Sequence, residues 1–119
     1  MIFNPLSLSG AFTIDVQPFQ DNRGFFTRTF CENEFSGQGL VTHFVQANHS
    51  GTKGKGVVRG MHFQFPPHGE VKLVKCVQGV IFDVIIDVRA GSSTFLQWYG
   101  AELSAENKRM MYVPVGFAH

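Results

Sequence analysis

The stretch VRGMHFQFPPHGEVKLVKC, residues 58–76, sets Arg59, His62, Lys72 and Lys75 among residues that otherwise suit a buried sheet. Each polar type carries a chemistry. A histidine titrates near neutrality and can take or return a proton. A lysine is a fixed cation able to stand beside a developing oxyanion. An arginine presents a planar fork that matches phosphate oxygens. The chain ends on a further histidine, in Pro114-Val115-Gly116-Phe117-Ala118-His119.

Strand periodicity sorts these side chains, because alternate residues share a face. In residues 58–64, Val58, Gly60, His62 and Gln64 lie opposite Arg59, Met61 and Phe63. In residues 71–77, Lys72, Val74 and Cys76 oppose Val71, Leu73, Lys75 and Val77. In residues 81–87, Ile81, Asp83, Ile85 and Asp87 oppose Phe82, Val84 and Ile86. Both faces are largely apolar, so each sheet is expected to be covered on both sides. A charge on such a strand needs a partner or a wet cavity, since burying it alone costs several kcal/mol. His62, Lys72 and Asp83 are therefore candidates for the lining of a barrel interior. The alternative is a structural histidine with satisfied hydrogen bonds beside a lysine that snorkels to solvent, and periodicity leaves both open.

The elements that must position them are mostly strands. Alternating or β-branched and aromatic runs predict strands at 12–16, 24–30, 43–50, 56–64, 71–78, 80–88, 94–103 and 110–113. Turns rich in Gly, Pro, Asn and Ser separate them at 20–24, 51–56, 66–69 and 89–93. One short helix is expected at 32–38, stopped by Gly39. Many short strands at close spacing predict an all-β sandwich or barrel of the jelly-roll kind.

Composition bounds the rest. The 119 residues, 44% of them hydrophobic, fit one compact domain with a single core. A formal net charge of +1 suggests neither nucleic acid nor an anionic membrane as partner. Cys31 and Cys76 are too few for a disulfide scaffold and lack metal-type spacing; they read as free thiols, Cys76 buried in a strand. The N-terminus lacks the positive charge of a secretory signal, and no apolar run approaches the roughly 20 residues of a membrane span. A soluble, cytoplasmic protein is the expectation.

Five blocks occur in order: Asp21-Asn22-Arg23-Gly24-Phe25-Phe26, Gln46-Ala47-Asn48, Arg59-Gly60-Met61-His62-Phe63-Gln64, Lys72-Leu73-Val74-Lys75-Cys76, and Pro114 to His119. With their spacings, they resemble the nucleotide-sugar 3,5-epimerases that act on dTDP-4-dehydro-6-deoxyglucose on the way to dTDP-rhamnose. The resemblance implies a cupin-type jelly-roll barrel with short helical segments, a homodimer, a dTDP-sugar substrate and no cofactor or bound metal. It also implies roles. His62 matches the base that removes a proton beside the C4 ketone, and Lys72 the cation that stabilises the enolate oxygen. Arg23, Gln46, Asn48 and Arg59 match positions that bind the nucleotide diphosphate and sugar, and His119 another substrate contact.

Two departures from the family pattern stand out. Arg28 follows Gly-Phe-Phe-Thr where many members carry a substrate-contacting glutamate, which reverses a charge beside the sugar or nucleotide. The family's proton-donating tyrosine, the acidic partner of the catalytic histidine and an aromatic that stacks on thymine all belong to a portion beyond His119. The 119 residues are thus expected to form a single cupin-like domain lacking that portion. Two other readings fit the same residues. One is a metal-binding cupin using His62, Glu70 and His119; the other is a jelly roll that binds a nucleotide sugar or dimerises without efficient catalysis.

Overall fold

The computed structural model describes all 119 residues. In chain order its elements are β1 (Ile2–Pro5), β2 (Phe12–Asp15), β3 (Phe19–Asp21), β4 (Gly24–Phe26), α1 (Glu32–Gly37), β5 (Lys72–Lys75), β6 (Val80–Asp87), β7 (Trp98–Ser104), β8 (Met110–Val113) and β9 (Phe117–Ala118). All pairings are antiparallel: one sheet runs β1-β2-β8-β5, a second β7-β6-β9, and β3 and β4 form a separate hairpin. No helix is long and apolar enough to cross a membrane.

The core explains the order of the first sheet. β8 lies between β2 and β5, so both its edges are paired, and with packing on both its faces all four of its residues, Met110, Met111, Tyr112 and Val113, are buried. Met111 and Val113 meet Ile85, Ala101, Leu103 and Phe117 of the second sheet, together with Leu8 and Ala11. Met110 and Tyr112 face the other way, against Ile14 and against Phe35 of α1. Each such buried side chain contributes about 1.5–3 kcal/mol. In the short helix, Cys31 at the N-cap makes no side-chain bond, while Glu32 and Glu34 in the first turn complement the positive end of its dipole. Phe35, fully buried, is what docks it.

Several expectations change. Residues 43–50 and 56–64 form no strands; they run as surface segments without a ladder, although Val45, Val57, Val58 and Phe63 suit a sheet. Fitness for a strand measures packing against neighbours, and these segments form no continuous ladder; only His62 bonds the chain just past β9. The chain forms three strands not anticipated, β1, β3 and β9, while the segment before Trp98 is a turn and β7 begins there. The second sheet is not covered on both sides: Val80, Ile81, Phe82 and Trp98 are 61%, 41%, 68% and 64% exposed. Cys76 lies just past β5 and is only half-buried, its thiol donating to the Gln78 carbonyl. Both cysteines are free thiols.

Candidate functional site

Lys72 opens β5, and Glu70, two residues before it, lies on the same side of the extended chain, so carboxylate and ammonium form an ion pair. The other Glu70 oxygen faces Gln46 Nε2 at 3.5 Å. His62 comes from the 57–71 segment and is held to the end of β9 by reciprocal backbone bonds. The His62 N–H donates to the His119 carbonyl, and the His119 N–H donates to the His62 carbonyl at 3.0 Å. Gly60 makes this approach feasible: its φ is +123°, and a Cβ there would stand 3.3 Å from the His119 carbonyl oxygen.

The result is a pocket of about 150 Å³ lined by His62, Phe63, Gln64, Gly69, Glu70, Lys72, Gly116 and Phe117. Beside it, His119 Nε2 lies 2.8 Å from Asp83 Oδ1. Asp83 is 7% exposed, and its second oxygen is buried with no protein partner. A hydrogen-bonded carboxylate holds an imidazole in one orientation, and the free oxygen can still accept a bond. His62 and Lys72 thus line one cavity, with the His119–Asp83 pair beside it.

Lys72 is half-buried at this pocket and Asp83 points inward, as the alternation of their strands requires. His62 differs from expectation. It is on no strand and is exposed at the pocket rather than facing a barrel interior, because the backbone bridge to His119 holds it. The candidate anion-binding residues are more dispersed. Arg59 gives its Nε–H to Thr52 Oγ1 and an Nη2–H to the Gly51 carbonyl, both at 2.9 Å. Arg23, at the β3–β4 turn, pairs with Asp21, which holds that exposed carboxyl below the usual carboxylate range. Arg28 pairs with Glu34 of α1 at 2.7 Å, so the charge set against the family's usual glutamate is matched locally. Asn48 is exposed on the surface segment.

The geometry gives the metal reading no support: no three His, Cys, Asp or Glu side chains converge as ligands, and Glu70 is paired with Lys72 and His119 with Asp83. Two features escaped the sequence. The pairing of Glu70 with Lys72 had a signal in their two-residue spacing and opposite charge. A second lies behind the pocket: Asp87, fully buried, accepts from Arg89 N–H, Nε and Nη2 at 3.0, 2.9 and 2.8 Å, and from Ser92 Oγ and Thr94 Oγ1 at 2.6 Å. The Arg89 guanidinium is the main reason the Asp87 carboxyl lies far below the usual carboxylate range; burial opposes this, and the two hydroxyls add to it.

Similar proteins carry the same frame. An epimerase of Shigella flexneri, dTDP-4-dehydrorhamnose 3,5-epimerase, is 50% identical over 102 residues, covering 85% of this chain and 56% of that protein. The crystal structure of dTDP-4-dehydrorhamnose 3,5-epimerase from Elizabethkingia anophelis superposes with a TM-score of 0.94 at 44% identity, covering all of this chain and 65% of the other. A dTDP-6-deoxy-D-glucose-3,5-epimerase from Legionella pneumophila, solved with dTDP-4-keto-L-rhamnose, gives 0.92 at 39% identity, covering 99% and 62%. The fold is therefore the all-β, cupin-type jelly roll of these enzymes. The chain spans less than two thirds of the length of these relatives. The dTDP-4-dehydrorhamnose 3,5-epimerase family model matches residues 5–119, so the same stretch that builds the pocket and its bracing strands places the chain in that family.

Proposed function

We propose that the chain carries the proton-abstracting side of a nucleotide-sugar 3,5-epimerase site, with a dTDP-4-dehydro-6-deoxy sugar as substrate. The observation that carries this is the convergence of His62 and Lys72 on one pocket, beside His119 held by Asp83. A C4 ketone acidifies the protons on C3 and C5. His62 removes one of them as general base, and the electron pair moves toward the ketone oxygen. The Lys72 ammonium, which can exchange its bond to Glu70 for one to that oxygen, stabilises the enolate electrostatically. His119, with its ring fixed by Asp83, contacts the sugar. Gln46, Asn48, Arg59 and Arg23 serve the nucleotide diphosphate; Arg59 retains N–H groups beyond the two engaged by its own loop. The keto-sugar bound in the Legionella relative supports this substrate class. Cytoplasmic action without a cofactor is part of the same reading.

We also propose a homodimer. The β3–β4 hairpin stands apart from both sheets and exposes Phe19, Phe25 and Phe26 at 78%, 55% and 75%, with Arg23 at its turn. Apolar side chains grouped on one such projection favour burial against a second subunit.

The test is NMR in deuterated water with dTDP-4-dehydro-6-deoxyglucose. The expected result is deuterium entering at C3 or C5 at a rate that His62→Asn lowers by about 10²–10⁴-fold. Exchange unaffected by that substitution would remove His62 from the role of base.

A further inference from the structure

We infer that Arg89 is a positioning residue of this pocket: locked by Asp87, it braces Gly116 and Phe117 and so fixes the strand end that carries His119. Arg89 itself lines no part of the cavity. Its backbone N–H, Nε and Nη2 all bond Asp87, whose remaining capacity is taken by Ser92 and Thr94. Thr94 Oγ1 and Ser92 Oγ also lie 3.1 Å apart, so the turn that follows β6 closes on one carboxylate. A side chain held along one guanidinium edge by two bonds to a buried carboxylate has little rotamer freedom left. It can therefore serve as a wall.

Two contacts use that wall. The guanidinium carbon stands 4.6 Å from the centroid of the Phe117 ring, a cation–π geometry. The Arg89 stem runs so close to Gly116 that a Cβ there would fall 2.4 Å from Arg89 Cγ. Gly116 and Phe117 both line the cavity, and the Val88 N–H donates to the Gly116 carbonyl at 3.1 Å. β9 is only two residues long, paired as Asp87 with Phe117 and Ile86 with Ala118. So short a strand holds little by its own ladder, and His119 follows it at once. The arrangement of His119 on Asp83, and through the backbone bridge of His62, thus depends on what pins Phe117. That pin is Arg89.

The kinetic part of the test rests on the epimerase reading; the spectroscopic part does not. Arg89→Met keeps an apolar stem against Gly116 and removes the guanidinium, and Phe117→Leu keeps bulk and removes the ring. Both, and the double variant, are made in the full chain. Long-range ¹H–¹⁵N spectra of the His119 imidazole read the geometry, and substrate-proton exchange in deuterated water reads function. Arg89→Met is expected to shift the His119 ring signals and to slow exchange about tenfold, with KM within about threefold of the parent, as misplacement of an otherwise intact group does. In the Phe117→Leu background, Arg89→Met should change the exchange rate by no more than about twofold, since the contact it acts through is gone. Arg89→Lys, which retains charge without the planar fork, should fall between parent and Arg89→Met; it also replaces Arg89→Met should that variant not fold. Unmoved His119 signals in the folded Arg89 variants, or effects of Arg89 and Phe117 that simply add, would overturn the brace. A parent chain that exchanges no substrate protons refutes the epimerase reading instead, and the His119 spectra still decide the brace.

Discussion

Replacing Asp87 with asparagine tests whether the carboxylate at the end of β6 is a true keystone of the second sheet. The side chain is fully buried and accepts five hydrogen bonds, three of them from Arg89. The amide retains one acceptor oxygen and turns an NH₂ toward donors. The two hydroxyls can rotate to accept from it, but the Arg89 Nη2–H cannot. Arg89, with only 31% of its side chain exposed, is left without a counter-charge. Breaking one side of a largely buried ion pair costs about 3–5 kcal/mol, a large share of the roughly 5–15 kcal/mol that stabilises an ordinary domain. Urea unfolding followed by circular dichroism and by the single tryptophan, Trp98 of β7, provides the assay. With a slope of about 1–3 kcal/mol per molar urea, the midpoint should fall by at least about 1 M. The pH dependence has a definite sign. The carboxyl is held below its unfolded value of about 3.9, so its contribution is complete above that pH and is lost as pH falls toward the folded pKa. The gap between parent and variant should stay level from neutrality to about pH 5 and narrow below about pH 4. A loss under about 1 kcal/mol at neutral pH, or a gap that widens on acidification, would refute the reasoning.

Gly116→Ala should destabilise by about 2–3 kcal/mol in the same assay, because φ is +86° and the new methyl meets the Arg89 stem, which Asp87 prevents from yielding. Met111→Ala, at a fully buried position between the sheets, should cost about 2–5 kcal/mol by thermal or urea unfolding, whereas the same change at exposed Met61 should cost under about 0.5 kcal/mol. Lys72→Met should leave unfolding within about 1 kcal/mol of the parent, since its partner Glu70 is about a third exposed, yet lower the rate of substrate-proton exchange by about 10²-fold or more; a rate within about threefold would take Lys72 out of the oxyanion role.

How far the sequence led depended on whether the deciding interaction was local. The strand at Met110–Val113 is legible because four apolar residues, Tyr112 and Val113 among them, follow Lys108-Arg109 and stop at Pro114, and β6 because it is a long run of β-branched and aromatic residues. Residues 56–64 also carry strand-favouring residues but make only the single His62–His119 bridge and no ladder, and that is a property of distant chain, not of local preference. β1 and β9 pose the reverse case: short, weakly patterned segments that become strands because β2 and β6 offer open edges. For the site, the ordered blocks pointed to His62, Lys72 and His119, but not to the means of their placement. His119 and Asp83 are 36 residues apart, and nothing in either local stretch specifies the contact. Asp87 shared a predicted face with Asp83, yet only its neighbours across the following turn distinguish a buried acceptor of five bonds from an ordinary solvated carboxylate.

The reciprocal position of those two aspartates limits how the chain can vary in length. Asp83 and Asp87 sit on one face of β6, four residues or about 13 Å apart at the rise of an extended strand. One serves the imidazole at the pocket and the other locks the turn behind it. Gaining or losing a single residue between them would send one carboxylate to the opposite side of the sheet; gaining two would restore the side but overshoot the reach. The exposed 51–56 loop, with no ladder to keep in step, can absorb such a change. Insertions and deletions among functional homologues should therefore collect in that loop and be missing between Asp83 and Asp87, a pattern that a deletion library selected for activity would reproduce.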